Sequence, residues 1–209
     1  MEGKFITFEG IEGSGKTYQT KRLSDYLTKE GYPVVIIREP GGTHVGEQVR
    51  KILLNPDNIE LCSYTELLLY YAARAQIVDE KIMPALGSGR VVLCDRFYDS
   101  STAYQHYGRG LDRKLLDVLT DNFVKVHPGI TILIDIPVDV GLARRGKETG
   151  EFGKLDRLEA EAYDFHERVR QGYLELSRSE GRIKAVDGSV SKDHVFSSIA
   201  CIVNKFLEH

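Results

Sequence analysis

Gly10-Ile11-Glu12-Gly13-Ser14-Gly15-Lys16-Thr17 satisfies the pattern GxxxxGK[ST], and its surroundings give that pattern structural meaning. Phe5-Ile6-Thr7-Phe8, just before it, is a short β-rich run. Just after it, residues 17–30 read as a helix, with Leu23 and Leu27 spaced to face a core and Gly31 to stop it. Glycines let the backbone wrap so tightly that its N–H groups converge on phosphate oxygens at a helix N-terminus. Lys16 supplies positive charge to the β and γ phosphates, and the Thr17 hydroxyl can ligate magnesium. The stretch therefore predicts a bound nucleoside triphosphate.

Working outward, strand-like and helix-like segments alternate. Residues 34–37, 91–94, 130–134 and 183–186 are further strand candidates. The runs at 91–94 and 130–134 are apolar throughout rather than alternating, as in strands covered on both faces. Helical patterns occupy 46–54, 65–86 (Pro84 in the last turn), 114–126, 138–145, 158–179 and 192–207. The alternation predicts an α/β fold: a five-stranded parallel sheet flanked by helices, one domain over 1–209. Glycine-rich 146–154 (GKETGEFGK) interrupts two helical patterns. It reads either as a solvated surface loop or as part of a mobile lid, about 144–157, over an active site.

Composition narrows the class. Lys plus Arg number 28 against 31 Asp plus Glu, a net charge of −3, which argues against nucleic acid as a partner. Cys62, Cys94 and Cys201 are far apart with no CxxC spacing, so the expectation is reduced, part-buried thiols in a cytoplasmic protein. The opening residues MEGKFITFEG lack the apolar run of a signal peptide, and no later run approaches a membrane span. The histidines lie scattered without metal-ligand spacing, and His166 and His194 read as surface residues.

Two pairs stand out next. Asp95 and Arg96 close the apolar run 91–94, at the end of a strand where open α/β sheets bind ligands. Tyr70 and Arg74 are four apart on the helix 65–86 and share a face. On spacing alone that face reads as an aromatic core stripe; a base-stacking ring with a guanidinium beside it is the alternative. A GTP switch is disfavoured: no Asp is followed by Gly three residues later, and Asn204-Lys205 is followed by Phe206-Leu207.

Gly10 to Thr17 is followed in order by Arg38-Glu39-Pro40-Gly41-Gly42-Thr43, Tyr70-Tyr71-Ala72-Ala73-Arg74, and Asp95-Arg96 with Asp99-Ser100-Ser101. Ala103-Tyr104-Gln105, Gly108-Arg109-Gly110 and Asp156-Arg157-Leu158-Glu159 complete the series. The series is a resemblance to the thymidylate kinases that covers most of the chain. It implies a P-loop nucleoside monophosphate kinase fold, a homodimer, and transfer of the ATP γ-phosphoryl group to dTMP with Mg2+. ATP would be held by Gly10, Ile11, Glu12, Gly13, Ser14, Gly15, Lys16, Thr17 and Arg144. Magnesium would meet Thr17 and Asp95, the latter directly or through water. For dTMP the resemblance implies Arg96 on the phosphate and Tyr70 stacked on thymine, with Tyr71 a competitor because the family commonly has Phe there. Arg74, Ser101 and Gln105 would meet the thymine edge, Tyr104 would crowd the sugar 2′ position, and Glu39 would meet the sugar or the magnesium shell. Arg50 assists the acceptor phosphate or is a solvated helix charge, and Arg109 stands behind it as a candidate.

A phosphate acceptor with a second pKa of about 6 is largely dianionic at neutral pH, so a strong general base is unnecessary. The step needs alignment and positive charge between donor and acceptor. Lys16 and Arg96 are counted catalytic, with Glu12 beside them. The Glu12-Gly13 pair brings no cation of its own, which resembles the bacterial subtype whose lid supplies an arginine. Arg144, Arg145, Lys147, Lys154 and Arg157 are the available donors, with Arg145 and Arg157 favoured because a planar fork spans two phosphate oxygens. Two alternatives stay open: a kinase of another monophosphate or a deoxynucleoside, and a P-loop regulatory ATPase.

Overall fold

The computed structural model describes residues 3–145 and 155–208. Five parallel strands form one sheet, ordered β2-β3-β1-β4-β5. They are β1 (Lys4–Glu9), β2 (Val34–Arg38), β3 (Val91–Asp95), β4 (Ile130–Asp135) and β5 (Ile183–Asp187), each built on a predicted run. The helices are α1 (Lys16–Lys29), α2 (His44–Leu54), α3 (Ser63–Ile77), α4 (Met83–Gly87), α5 (Tyr98–Ser101), α6 (Arg113–Phe123), α7 (Val138–Arg145), α8 (Tyr163–Ser179) and α9 (Lys192–Leu207). β1 pairs with β3 on one side and β4 on the other, so the chain changes direction across β1. Beyond the C-terminal ends of strands at such a switch lies the ligand crevice of this architecture.

The central strands are apolar at successive positions because both faces are covered. β3 is buried throughout, whereas the edge strands β2 and β5 expose several positions. Phe5, Val92 and Cys94 pack on Leu67 of α3 and on Leu116 and Leu119 of α6. Ile6, Phe8 and Leu93 face the other way, onto Leu23 and Leu27 of α1 and Ile199 and Val203 of α9. Burial of each large aliphatic side chain contributes about 1.5–3 kcal/mol relative to leaving it in water. Leu133, Ile136 and Val138 form a third cluster with Phe165, Val169 and Tyr173 of α8, bracing the sheet's C-terminal edge.

Three helices differ from their sequence patterns. The long helix expected over 65–86 is α3 and α4 joined by a π-helical turn, Val78–Ile82. Pro84 has no N–H for the carbonyl four residues back, which loosens the ladder before it. The helix expected from residue 158 starts at Tyr163, because Asp156 Oδ1 accepts from the N–H groups of Leu158 and Glu159 and turns the chain first. α6 ends at Phe123 where Val124 turns extended. Residues Tyr98–Gly108, to which the apolar period assigns no element, are helical: α5 runs into a π-helical segment Thr102–Gly108.

The expectation of part-buried thiols holds for neither extreme. Cys94 is fully buried in β3, and Cys62 and Cys201 are exposed; all three are free. Among the described residues no helix is long and apolar enough to cross a membrane. Of the lid expected over 144–157, residues 146–154, including Lys147 and Lys154, lie outside the described residues.

Candidate active site

The loop 10–15 leaves β1 and enters α1 through Gly15, whose φ of 91° is the left-handed conformation glycine tolerates. Gly13 is needed for closeness as well: a Cβ there would lie 2.3 Å from the Gly141 carbonyl oxygen of α7. The helix N-terminus thus opens at the C-terminal edge of the sheet. Lys16 folds back over the loop, its Nζ donating to the carbonyls of Gly10 and Ile11 at 2.9 Å each. Burial, reinforced by nearby Arg96, lowers its pKa to about 8 against the pull of Asp95, Glu12 and Glu9. The Thr17 hydroxyl donates to Asp95 Oδ2 at 2.5 Å.

Arg96 follows β3 with φ 69°, a strained conformation for a side chain with a Cβ that costs on the order of 1–3 kcal/mol. Its neighbours over-determine it. The N–H donates to Phe8 O at 2.9 Å, while the guanidinium donates to Gly10 O (3.0 Å), Tyr173 Oη (3.1 Å), Glu12 Oε1 (2.9 Å) and Tyr104 Oη (3.2 Å). Tyr104 in turn donates to Glu12 Oε1 at 2.5 Å. Burial alone would raise the Glu12 carboxyl, and Arg96, His166 and Lys16 outweigh it and hold it well below the carboxylate range.

A cleft of about 850 Å³ runs along this edge. It is lined by the loop, Arg144 and Gly188, by Lys16, Asp95, Arg96 and Arg145, and by Tyr70, Ser101 and Gln105. Glu39 and Arg50 also line it, Arg50 donating to Pro40 O at 3.1 Å. The Tyr70–Tyr71 ambiguity resolves spatially: Tyr70 faces the cleft, whereas Tyr71 is buried in the core and donates to Leu116 O.

Several predicted residues sit elsewhere than expected. Arg74 lies behind the wall, 1% exposed, donating to Glu39 Oε2 (2.7 Å), Ser101 Oγ (2.9 Å) and Phe97 O (3.2 Å). It orients the residues that line the cleft. Glu39 Oε1 has no hydrogen-bond partner, and burial pushes the Glu39 carboxyl up to about 7 against Arg74. Arg157 is not at the cleft: it donates to Leu53 O (2.9 Å) and Glu66 Oε2 (2.5 Å), and a fully buried carboxylate competes successfully for a guanidinium. Arg109 shares Glu66, donating to both its oxygens, and pairs with Glu161. Of the two favoured lid arginines only Arg145 lines the cleft, paired with Glu159; Arg144, expected at ATP, also lines it and donates to Gly188 O at 3.3 Å.

The expectation of a surface His166 is wrong. Its side chain is buried beside Glu12, because α8 turns that face toward the loop; His194 is exposed as expected. Glu9 escaped the sequence reading too. It accepts from Phe97 N (2.7 Å), Ser100 Oγ (2.6 Å) and Tyr173 Oη (2.8 Å), and burial with Asp99 nearby raises its pKa to about 7. Its signal was available: like Asp95, it ends an apolar strand.

Thr17 and Asp95 are hard oxygen donors side by side at the loop's helix. Among the described residues no three His, Cys, Asp or Glu side chains gather into a cage. The Thr17–Asp95 oxygen pair fits Mg2+, a hard cation that keeps waters and substrate phosphates as most of its ligands.

The thymidylate kinase family model matches residues 8–199. A thymidylate kinase of Thermoanaerobacter sp. (strain X514) is 46% identical over 209 residues, 99% of this chain and 100% of that protein. One from Syntrophotalea carbinolica is 50% identical over 195 residues, 91% of this chain and 90% of that protein. The crystal structure of thymidylate kinase from Ehrlichia chaffeensis matches with a TM-score of 0.78 and 35% identity, covering 98% of this chain and 99% of that one. With its P-loop, its parallel sheet and a family match running nearly end to end, this chain belongs to the thymidylate kinase family.

Proposed function

We propose that the cleft holds ATP and dTMP end to end and transfers the γ-phosphoryl group of ATP to a phosphate oxygen of dTMP, giving ADP and dTDP. The observation that carries this reading is that the phosphate-binding loop, Lys16, Arg96, Tyr70, Ser101 and Gln105 all line one cleft. Loop N–H groups and Lys16 take the donor phosphates, and Arg144 and Gly188 flank the donor base. Arg96 takes the acceptor phosphate with a forked pair of donors. Tyr70 stacks on thymine, Ser101 and Gln105 offer polar groups to its edge, and Arg74 fixes Ser101 and Glu39 from behind. Tyr104 narrows the space at the sugar, and Arg50 stands near the acceptor phosphate.

The acceptor is already nucleophilic as a dianion, so the protein's work is alignment, charge and exclusion of water. Mg2+, held by Thr17 and Asp95 with the nucleotide phosphates, would neutralise charge developing on the transferred group. Of the lid residues Arg144 and Arg145, which both line the cleft, Arg145 is the one we assign to the junction, where its fork would span two oxygens.

The chain works as one domain with a lid of about 144–157, as a homodimer, in the cytoplasm. Supporting the dimer, α2 and α3 leave Ile52, Tyr64 and Leu68 about half exposed. The three free thiols accord with a reducing compartment. ADP release measured with dTMP, dUMP, UMP and thymidine as acceptors tests the reaction. dTMP should be preferred, and thymidine outperforming it would overturn the reading. ATP turnover indifferent to dTMP would instead favour a regulatory ATPase.

A further inference from the structure

His166 is 1% exposed on α8, packed against the phosphate-binding loop. Its Nδ1 lies 3.6 Å from Glu12 Oε2, an ion-pair distance longer than a hydrogen bond. Neither His166 Nε2 nor Glu12 Oε2 has a hydrogen-bond partner. A buried carboxylate oxygen left without a hydrogen bond is costly, and a cation on the imidazole facing it through Nδ1 offsets that cost. Glu12 Oε1 is engaged on its other side by Arg96 at 2.9 Å and Tyr104 at 2.5 Å.

We infer that His166 is a positioning residue for the acceptor half of the site: as an imidazolium it faces Glu12 Oε2, holds Oε1 between Arg96 and Tyr104, and leaves Arg96 charge for an anionic acceptor. The inference rests on reading Arg96 as the residue that takes the dTMP phosphate. A carboxylate with one guanidinium partner cancels it, and a second cation restores the balance. The guanidinium of Arg96 meets Oε1, while the imidazole of His166 lies beside Oε2.

The charged and titratable groups facing this pair come from every element around it. Glu12 and Lys16 belong to the loop, Arg96 follows β3, and Tyr104 stands on the π-helical segment. Asp156 feels Glu12 from the turn before α8, where Glu159 and Glu161 turn backbone groups toward the imidazole. Arg109 lies across the Phe165 ring at 4.6 Å. Burial opposes charge on the imidazole, and Glu12 with these backbone groups outweighs it, so the pKa lies above the ordinary histidine value. A raised pKa carries the cation to higher pH than an ordinary histidine would, and the cation is lost as pH climbs through that raised value.

An NMR titration of the ligand-free protein reads the pair directly, with the His166 signal assigned by its loss in His166→Gln. The midpoint should exceed the free-histidine value of about 6.5, and Glu12→Gln should lower it by at least a unit. A wild-type midpoint at or below the free value overturns the inference, as does a midpoint indifferent to Glu12→Gln. Kinetics at saturating ATP and Mg2+, from pH 6.5 upward so that dTMP stays dianionic, supply the second readout. His166→Gln should raise KM for dTMP roughly 3–10-fold at pH 7, leave kcat within about twofold, and lose an alkaline decline in kcat/KM that the wild type shows. An unchanged KM, or a decline persisting in His166→Gln, counts against it. Absence of dTMP phosphorylation at every pH would sink the functional reading, while the titration still judges the ion pair.

Discussion

Lys16 carries its charge against its surroundings. Buried, and repelled by Arg96, it ionises near pH 8 rather than in the usual lysine range. The folded pKa is depressed, so the cation is present below about 8 and disappears as pH rises through it. The kcat/KM for ATP, which reports free-enzyme ionisations, should therefore fall across that range, with kcat flatter because bound phosphates hold the proton on. Lys16→Ala should lower kcat on the order of 10²–10³-fold, like loss of one preorganised donor, with no loss of thermal stability. Arg96→Ala removes the acceptor's guanidinium. Its KM for dTMP should rise at least about 30-fold, as for truncating one partner of a buried charged contact, with KM for ATP moving far less. The two lid arginines divide by burial: Arg145→Ala should slow phosphoryl transfer. Arg157→Ala should leave transfer nearly intact but cost stability, about 1–3 kcal/mol in denaturant melts, because Glu66 loses a partner. Residue identity was readable in the sequence; the direction of each side chain was not. Arg74, Arg145 and Arg157 are alike on paper, and only the position of Glu39, Glu159 and Glu66 decides which reaches the cleft.

At the scale of elements, the strands were the most legible, since double coverage writes itself as unbroken apolar runs. The loop and α1 followed from glycine placement. Tyr98–Gly108 was hidden because its buried residues are largely polar or aromatic and answer to Glu9, Glu66 and Arg74 rather than to an apolar period. The long helix was legible in extent but not in its π turn, which shifts the face that each residue presents. The contact between loop and α7 makes its own prediction. A Cβ at Gly141 would meet Glu12 O at 2.6 Å and Ile11 Cδ1 at 3.2 Å. Gly141→Ala should push the loop off α7, raising KM for ATP several-fold and costing about 1–3 kcal/mol of overpacking strain, seen as a lowered melting temperature.

For the whole molecule, the two nucleotides of the proposed complex would add contacts among the loop, the start of α5 and the turn before α8, all of which line the cleft. A ligand that binds only the folded state at 100 times its Kd adds about 2.7 kcal/mol. For a chain of this length that is a rise in Tm of roughly 5–10 °C, and dTMP should produce it in differential scanning calorimetry where UMP at equal concentration does not. Fold class and reaction were legible because the P-loop and the motif order constrain them. The buried ionic lattice was not, since it depends on distances between segments from 35 to 91 residues apart.

That separation also governs how the chain emerges during synthesis. β1 hydrogen-bonds to β3 and β4 and to no strand near it in sequence, Lys4 lying opposite Val91 and Ile6 opposite Ile130. At about 5–20 residues per second, the ribosome needs roughly 4–16 s after releasing β1 before its first neighbour exists. Throughout that interval a bare, greasy ribbon hangs in the open, a ready target for chaperones or for the same ribbon on an adjacent nascent chain.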